Sequence, residues 1–385
     1  MNVVMARLIG ECVSWKTSSG SANPEKALPR TEMVCPVKNF QKSTRRDCTD
    51  ECYLEAVKAP PAGFDEAGLS DTVARRWGID VESISYEAVG GGSHHWLLRA
   101  TDVGYRFITV DDLGTKPWLG ADHDSVFAGL EDAFGTARRL RDSGLDFVVA
   151  PIPAADGAMV TRLDGRFSAA LFPYIAGRAG IFGEKFGRRD RHDLCELWAK
   201  LHLDTAVVRD GAPRRNLDVP GREDLEDALR NVDSPWSGGP YSERAREWLA
   251  VNRGLIASSL STYDGLAREV ATNEFVITHG EPHGGNLIRA EDGLHLIDWD
   301  TVAMAPPERD LWMLDDGTAE GLQAYTDATG HAIDRSALDF YRLAWLVTDV
   351  AAFTTALRQP HTDDANTAHA WRALGITGES LSSML

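Results

Sequence analysis

The sequence predicts an α+β protein in two lobes, a small β-rich N-terminal lobe and a larger helical C-terminal lobe. Strand-like segments gather before residue 173, helical periodicity takes over beyond Gly177, and one short alternating segment, Leu294-His295-Leu296-Ile297, is embedded in the helical half. At 385 residues with 43% hydrophobic composition, the chain can fill two such lobes with substantial cores.

Residues 1–60 differ from the remainder: they are basic on balance, lack clear periodicity and hold Cys12, Cys35, Cys48 and Cys52. They read as a poorly structured extension, and the irregular cysteine spacing, without a C-x-x-C pair, argues against zinc. Pro60-Pro61-Ala62-Gly63 marks a boundary, so the N-lobe is assigned to 61–173 and the C-lobe to 174–385. A helix is expected from Ser70, with Ser70 as its cap and Val73 and Trp77 on one face. Strands follow at Ser83 to Val89, His95 to Thr101 and Tyr105 to Val110. A helix fits Phe127 to Ser143, and further strands fit Ala158 to Arg162 and Arg166 to Phe172. Leu194, Leu197, Trp198 and Leu201 give Arg191 to Leu203 one buried helical face. Ser242 to Ser261 and Ser336 to Leu357 also read as helices.

The formal net charge is −18, and residues 1–60 carry nine basic and seven acidic residues, which leaves the remainder at −20. Such an excess disfavours nucleic acid and anionic membrane as partners and suits a cationic small molecule, or simply a solvated acidic surface. No apolar run approaches the length of about 18–20 residues that spans a bilayer. Met1 to Trp15 lacks the apolar core of an export signal, and only Cys195 of the five cysteines lies beyond residue 60. These features point to the cytoplasm.

The densest chemical signal is His279-Gly280-Glu281-Pro282-His283-Gly284-Gly285-Asn286, followed one strand later by Ile297-Asp298-Trp299-Asp300. An acid, a carboxamide five residues on and an acid at a strand end suit phosphoryl transfer from a magnesium nucleotide to a hydroxyl. That reaction needs a carboxylate to orient and deprotonate the hydroxyl, and oxygen ligands to hold the metal. Glu281 fits the first need, and Asn286 and Asp298 the second. His279 and His283 stand four apart, as in zinc-protease helices, but the surrounding glycines and Pro282 forbid a helix, so loop bracing is the expected role.

This H-G-E-x4-N pattern with the later I-D-W-D resembles the aminoglycoside phosphotransferase family, which has a protein-kinase-like fold. The resemblance extends over residues 61–358 and is specific from Thr278 to Trp312. It implies Glu281 as catalytic acid, Asn286 and Asp298 as magnesium ligands, and Asp310 as the buried acid that braces the catalytic loop. The family usually has aspartate where this chain has Glu281; the extra methylene moves the carboxylate outward by about 1.5 Å.

Gly90, Gly91, Gly92 and Ser93 lie between two predicted strands, where a glycine turn can fold over ATP or GTP phosphates. A kinase-like lobe places a lysine on its third strand, yet Thr109 stands there. Lys116 is the one lysine between residues 61 and 173 and can reach the phosphates from a loop; Arg106 as substitute and a plainly solvated Lys116 stay open. A partner acid for that cation is sought on the next helix, at Glu131 or Asp132. Phe172 and Tyr174, around Pro173, resemble the hinge whose backbone pairs with the base. On the acceptor side, Asp300 is placed toward a second metal or a substrate amine, and Asp349 among apolar neighbours reads as an acceptor contact or a partner of an arginine.

The implied reaction is therefore transfer to a small, cationic acceptor, aminoglycoside-like or choline-like. Two rivals remain. Asp298-Trp299-Asp300-Thr301-Val302 fits the opening of haloacid-dehalogenase-type phosphatases, but no lysine occurs after Lys200 to complete that site. A ligand-binding pseudokinase is favoured by Thr109 and Glu281 and opposed by Asn286 and Asp298. Oligomeric state is not legible.

Overall fold

The computed structural model describes residues 60, 61, 64–318 and 320–384. The expected extension, with its four cysteines, lies outside the described residues apart from Pro60.

The N-terminal lobe is a five-stranded antiparallel sheet with two helices. The helix α1 (Glu66–Trp77) leads into β1 (Val81–Glu87), β2 (His94–Ala100) and β3 (Gly104–Asp112); after α2 (His123–Asp142) come β4 (Thr161–Arg162) and β5 (Phe167–Pro173), in the order β1-β2-β3-β5-β4. Two sequence expectations are corrected here. The first helix begins at Asp65, whose side chain accepts from Gly68 N at 2.9 Å; Ser70 lies inside it. β4 is two residues long, not five, because Glu131 takes the backbone N–H groups of Met159 (2.9 Å) and Val160 (2.8 Å). Those donors are then lost to a longer ladder.

Alternation along the strands gives the sheet two faces. Trp96, Leu98, Ile108, Val110, Ala169 and Leu171 pack against Leu69 and Val73 of α1. Phe107, Ala170 and Phe172 join a larger core that includes α2 and reaches into the second lobe. On this second face, period-two spacing aligns Thr109 and Asp111 with Phe107, and His95 of β2 lies opposite Thr109.

Residues 174–176 carry the chain into β6 (Gly177–Ala179), the first element of the helical lobe. There follow α3 (Arg188–Leu203), α4 (Thr205–Val208), α5 (Arg222–Arg230), α6 (Ser242–Val270), β7 (Val276–Thr278), β8 (Leu287–Ala290) and β9 (Gly293–Leu296). The chain ends with β10 (Ala303–Ala305), α7 (Glu308–Leu311), α8 (Gln323–Thr329), α9 (Arg335–Arg358) and α10 (Ala365–Met384). β6, β8 and β9 form one antiparallel sheet and β7 pairs with β10. These two small sheets frame the chemistry: residues 279–286 connect β7 to β8, and residues 297–302 connect β9 to β10. The expected apolar face of α3 is buried at Leu194, Leu197, Trp198 and Leu201. α5, α6, α9 and α10 enclose a separate core. Among the described residues, no helix is long and apolar enough to cross a membrane.

Candidate active site

Asp310, fully buried at the start of α7, fixes the loop after β7. Its two carboxylate oxygens accept from His279 N (2.7 Å) and Gly280 N (2.6 Å). His202 of α3 shares a third hydrogen bond with it at 3.1 Å and is itself held by Tyr325 OH at 2.7 Å. Burial alone would raise the carboxyl's pKa, but His202 and the neighbouring His279 and Arg309 outweigh it, so Asp310 lies below the ordinary aspartate value. Next to it, Arg309 donates to Thr278 Oγ1 and Thr301 O, both at 2.9 Å, and so ties the two connections together. His279 shares a hydrogen bond with Ile297 O through Nε2 (2.8 Å), the bracing role expected of it.

Gly280 has φ +98°, and a Cβ there would fall inside the Arg309 guanidinium. Gly280→Ala therefore combines backbone strain with overpacking against a buried cation. It is expected to cost about 2–3 kcal/mol, read as a lowered midpoint in urea unfolding; an unchanged midpoint would show that Arg309 is free to move.

Beyond Gly280 the chain presents Glu281, buried, with its carboxylate 3.6 Å from His283 Nε2. Asn286 is buried and donates through Nδ2 to Glu281 O at 3.1 Å. That bond turns its Oδ1 the other way, and among the described residues Oδ1 has no hydrogen-bond partner. Asp298 follows β9 with φ 67°, the one positive φ outside glycine among the described residues. This conformation costs about 1–2 kcal/mol and is held by Trp299, which is fully buried, donates to Leu296 O at 2.9 Å and packs edge-on against His279 at 4.9 Å.

Burial and the nearby carboxylates of Asp300 and Glu281 push Asp298 well above the ordinary aspartate range. A carboxylate that resists ionising and a carboxamide oxygen with no partner are donors that a hard divalent cation stabilises. Among the described residues no group of three or more His, Cys, Asp or Glu can hold a metal. A site of one carboxylate and one carboxamide fits magnesium, which completes its shell with phosphate and water.

Lys116 is 1% exposed, which removes the solvated alternative. Its Nζ donates to Asp300 Oδ2 at 2.6 Å and lies 3.1 Å from Asp111 Oδ1. Burial works against the charge, but these carboxylates outweigh it and hold the ammonium above the usual lysine pKa. The partner acids expected on α2 are thus corrected: Glu131 binds backbone and Asp132 is exposed. Asp111 is the residue that sequence reasoning missed; its signal was a charge at a core-facing position of β3. Arg106 is also corrected as a substitute, since its guanidinium is spent on Val103 O and Tyr105 O at the other end of the strand. Asp300 faces the protein's own cation.

The glycine-rich turn joins β1 to β2, with Gly90 at φ 73° and Gly92 at φ 109°. The hydroxyl of Ser93 donates to Asp111 Oδ1 at 2.6 Å. Phe172 pairs with Phe107 and sends its ring into the large core, while Tyr174, past the strand, packs 5.7 Å from Tyr105.

Around His283, Phe182 stacks on Trp345 of α9 at 5.7 Å, and both rings pack on the imidazole. Asp349, one turn along α9, accepts from the Trp345 side chain; burial and then Glu281 push it up to about 7. Asp349 thus has an indole partner where an arginine was the alternative.

A family model described as the phosphotransferase enzyme family matches residues 87–346. Protein StrN of Streptomyces griseus is 27% identical over 269 residues, covering 67% of this chain and 79% of that protein. Spectinomycin phosphotransferase APH(9)-Ia, solved with ADP and spectinomycin, superposes with a TM-score of 0.65 at 17% identity, covering 84% of this chain and 99% of its own. Amicoumacin kinase hAmiN, solved with AMP-PNP, Ca2+ and Ami, gives a TM-score of 0.56 at 12% identity, covering 84% and 94%. Both share the two-lobed, kinase-like fold.

Proposed function

Because the chain belongs to the phosphotransferase enzyme family, we propose that it moves the γ-phosphate of ATP or GTP to a hydroxyl of a small, amine-bearing acceptor such as an aminoglycoside or related antibiotic. The observation that carries this reading is the convergence of buried Glu281, Asn286 and Lys116 with the half-buried Asp298 in one cluster linking both lobes. Glu281 orients the acceptor hydroxyl and takes its proton. Asn286 Oδ1 and Asp298 are the residues that would hold magnesium. When bound, magnesium neutralises charge on the β- and γ-phosphates. Lys116 donates to phosphate oxygens, Gly90, Gly91, Gly92 and Ser93 cover them, and the backbone around Phe172 and Tyr174 meets the base. Asp300 anchors Lys116. Asp349 faces the acceptor amine.

A second reading, a choline-like or amino-alcohol acceptor, is favoured by the Phe182, Trp345 and His283 rings beside Asp349, since aromatic faces also bind quaternary ammonium. One screen separates the readings: nucleotide consumption over aminoglycosides, other hydroxylated antibiotics and amino alcohols, with ATP and GTP in parallel and magnesium present or chelated. Magnesium-dependent consumption with an amine-bearing cyclic acceptor is expected, and amino-alcohol turnover alone would select the second reading. A nucleotide-induced thermal shift without consumption by any acceptor would point to a binding module and overturn transfer.

A further inference from the structure

We propose that Asp111 is the positioning residue that sets the Lys116 ammonium against the nucleotide phosphates, and that Ser93 registers the glycine-rich turn on the same carboxylate. This deepens the phosphoryl-transfer reading above and rests on it.

The strand face that should carry a lysine carries none. Thr109 shares a hydrogen bond with His95 Nδ1 at 3.2 Å, and burial drives the imidazole down to about 3, so this pair brings no charge to the cleft. One pleat further along the same face stands Asp111. After β3 the chain makes a tight turn at Leu113–Thr115, capped by Asp112, which accepts from Gly114 N at 3.0 Å and is held by Arg166 at 2.6 Å. That turn sends Lys116 back toward the strand, and its ammonium comes to rest at Asp111. A cation carried on a loop thereby returns to the strand face where a strand-borne one would emerge.

A lysine ammonium has three N–H donors. Asp300 of the C-terminal lobe accepts one at 2.6 Å, and Asp111 of the N-terminal lobe holds the charge as an ion pair at 3.1 Å, which leaves a donor for a phosphate oxygen. Two fixed carboxylates remove the rotor freedom of a long side chain before ligand arrives. Asp111 Oδ1 also accepts from the Ser93 hydroxyl, and Ser93 directly follows Gly92. The backbone that covers the phosphates and the cation that contacts them are thus set by a single oxygen. Without Asp111 the ammonium would follow Asp300 and lose its register with the turn.

Calorimetric titration of the full chain with magnesium–AMP-PNP and with adenosine tests this. Asp111→Asn is expected to weaken AMP-PNP about tenfold or more and to leave adenosine unchanged, because adenosine carries no phosphate. Lys116→Met should weaken AMP-PNP at least as much, and the double variant should bind no worse than Lys116→Met. Ser93→Ala should show the same selectivity at about threefold, and it decides the matter if the Asp111 variant does not fold. Losses shared equally by adenosine and AMP-PNP, or additive losses in the double variant, would reduce Asp111 to a structural ion pair and overturn the proposal. Unchanged AMP-PNP binding in Lys116→Met would instead sink the phosphate role of Lys116, and the inference with it. Weakening by Lys116→Met without weakening by Asp111→Asn or Ser93→Ala would sink the positioning role alone.

Discussion

Replacing Asp298 with asparagine is expected to reduce turnover by about a thousandfold or more while leaving the apo protein at least as stable as the parent. The two effects have one cause. Burial and the charges of Asp300 and Glu281 oppose ionisation of Asp298 more strongly than Lys116 favours it. Asparagine keeps the shape, relieves the repulsion and tolerates the left-handed backbone that this position demands. It lacks the charge that would hold magnesium on the nucleotide. Thermal unfolding without ligand should therefore show an equal or higher midpoint, and magnesium-dependent stabilisation by nucleotide should disappear. Normal turnover by this variant would end the metal assignment, and a large stability loss would contradict the electrostatic account.

Glu281→Gln is expected to lower kcat by about 10²–10⁴-fold, with Glu281→Asp losing much less. Glutamine preserves length and packing against His283 but cannot accept a proton. Aspartate can, from a position about 1.5 Å shorter. The loop that carries the side chain is set by Asp310 and Asn286 through backbone groups, so neither change should disturb its path. Steady-state kinetics on the acceptor found by the screen will separate the two; equal losses would mean that this carboxylate is not the base.

The lobes and the catalytic loop were legible because their signals are local. Strand alternation around β2 and β3, the buried face of α3 and the 279–286 and 297–300 spacings each lie within one segment. The three-residue strands β6, β7 and β10 are too short to show a period and were missed. The first helix was started late because Asp65 and Ser70 are both good caps in sequence and only the structure shows which one accepts a backbone N–H. Lys116 was ambiguous because its partner Asp300 is 184 residues away. Asp111 was overlooked because alternation identifies the face of a strand without revealing what crosses the cleft to meet it.

The braces of the loop after β7 and most of α9 belong to different cores. His202, Tyr325 and Asp310 tie residues 279 and 280 to α3, α8 and α7, around the larger core. Trp345 and Asp349 ride on α9, which packs mainly with α5, α6 and α10 but also meets α7, and Leu338 near its start lies in the larger core. A change on α9 therefore reaches the 279–286 loop by two routes, the face shared with α7 and the Trp345 ring on His283. Remodelling around Trp345 thus calls for a compensating choice at His283, because the two rings share one contact.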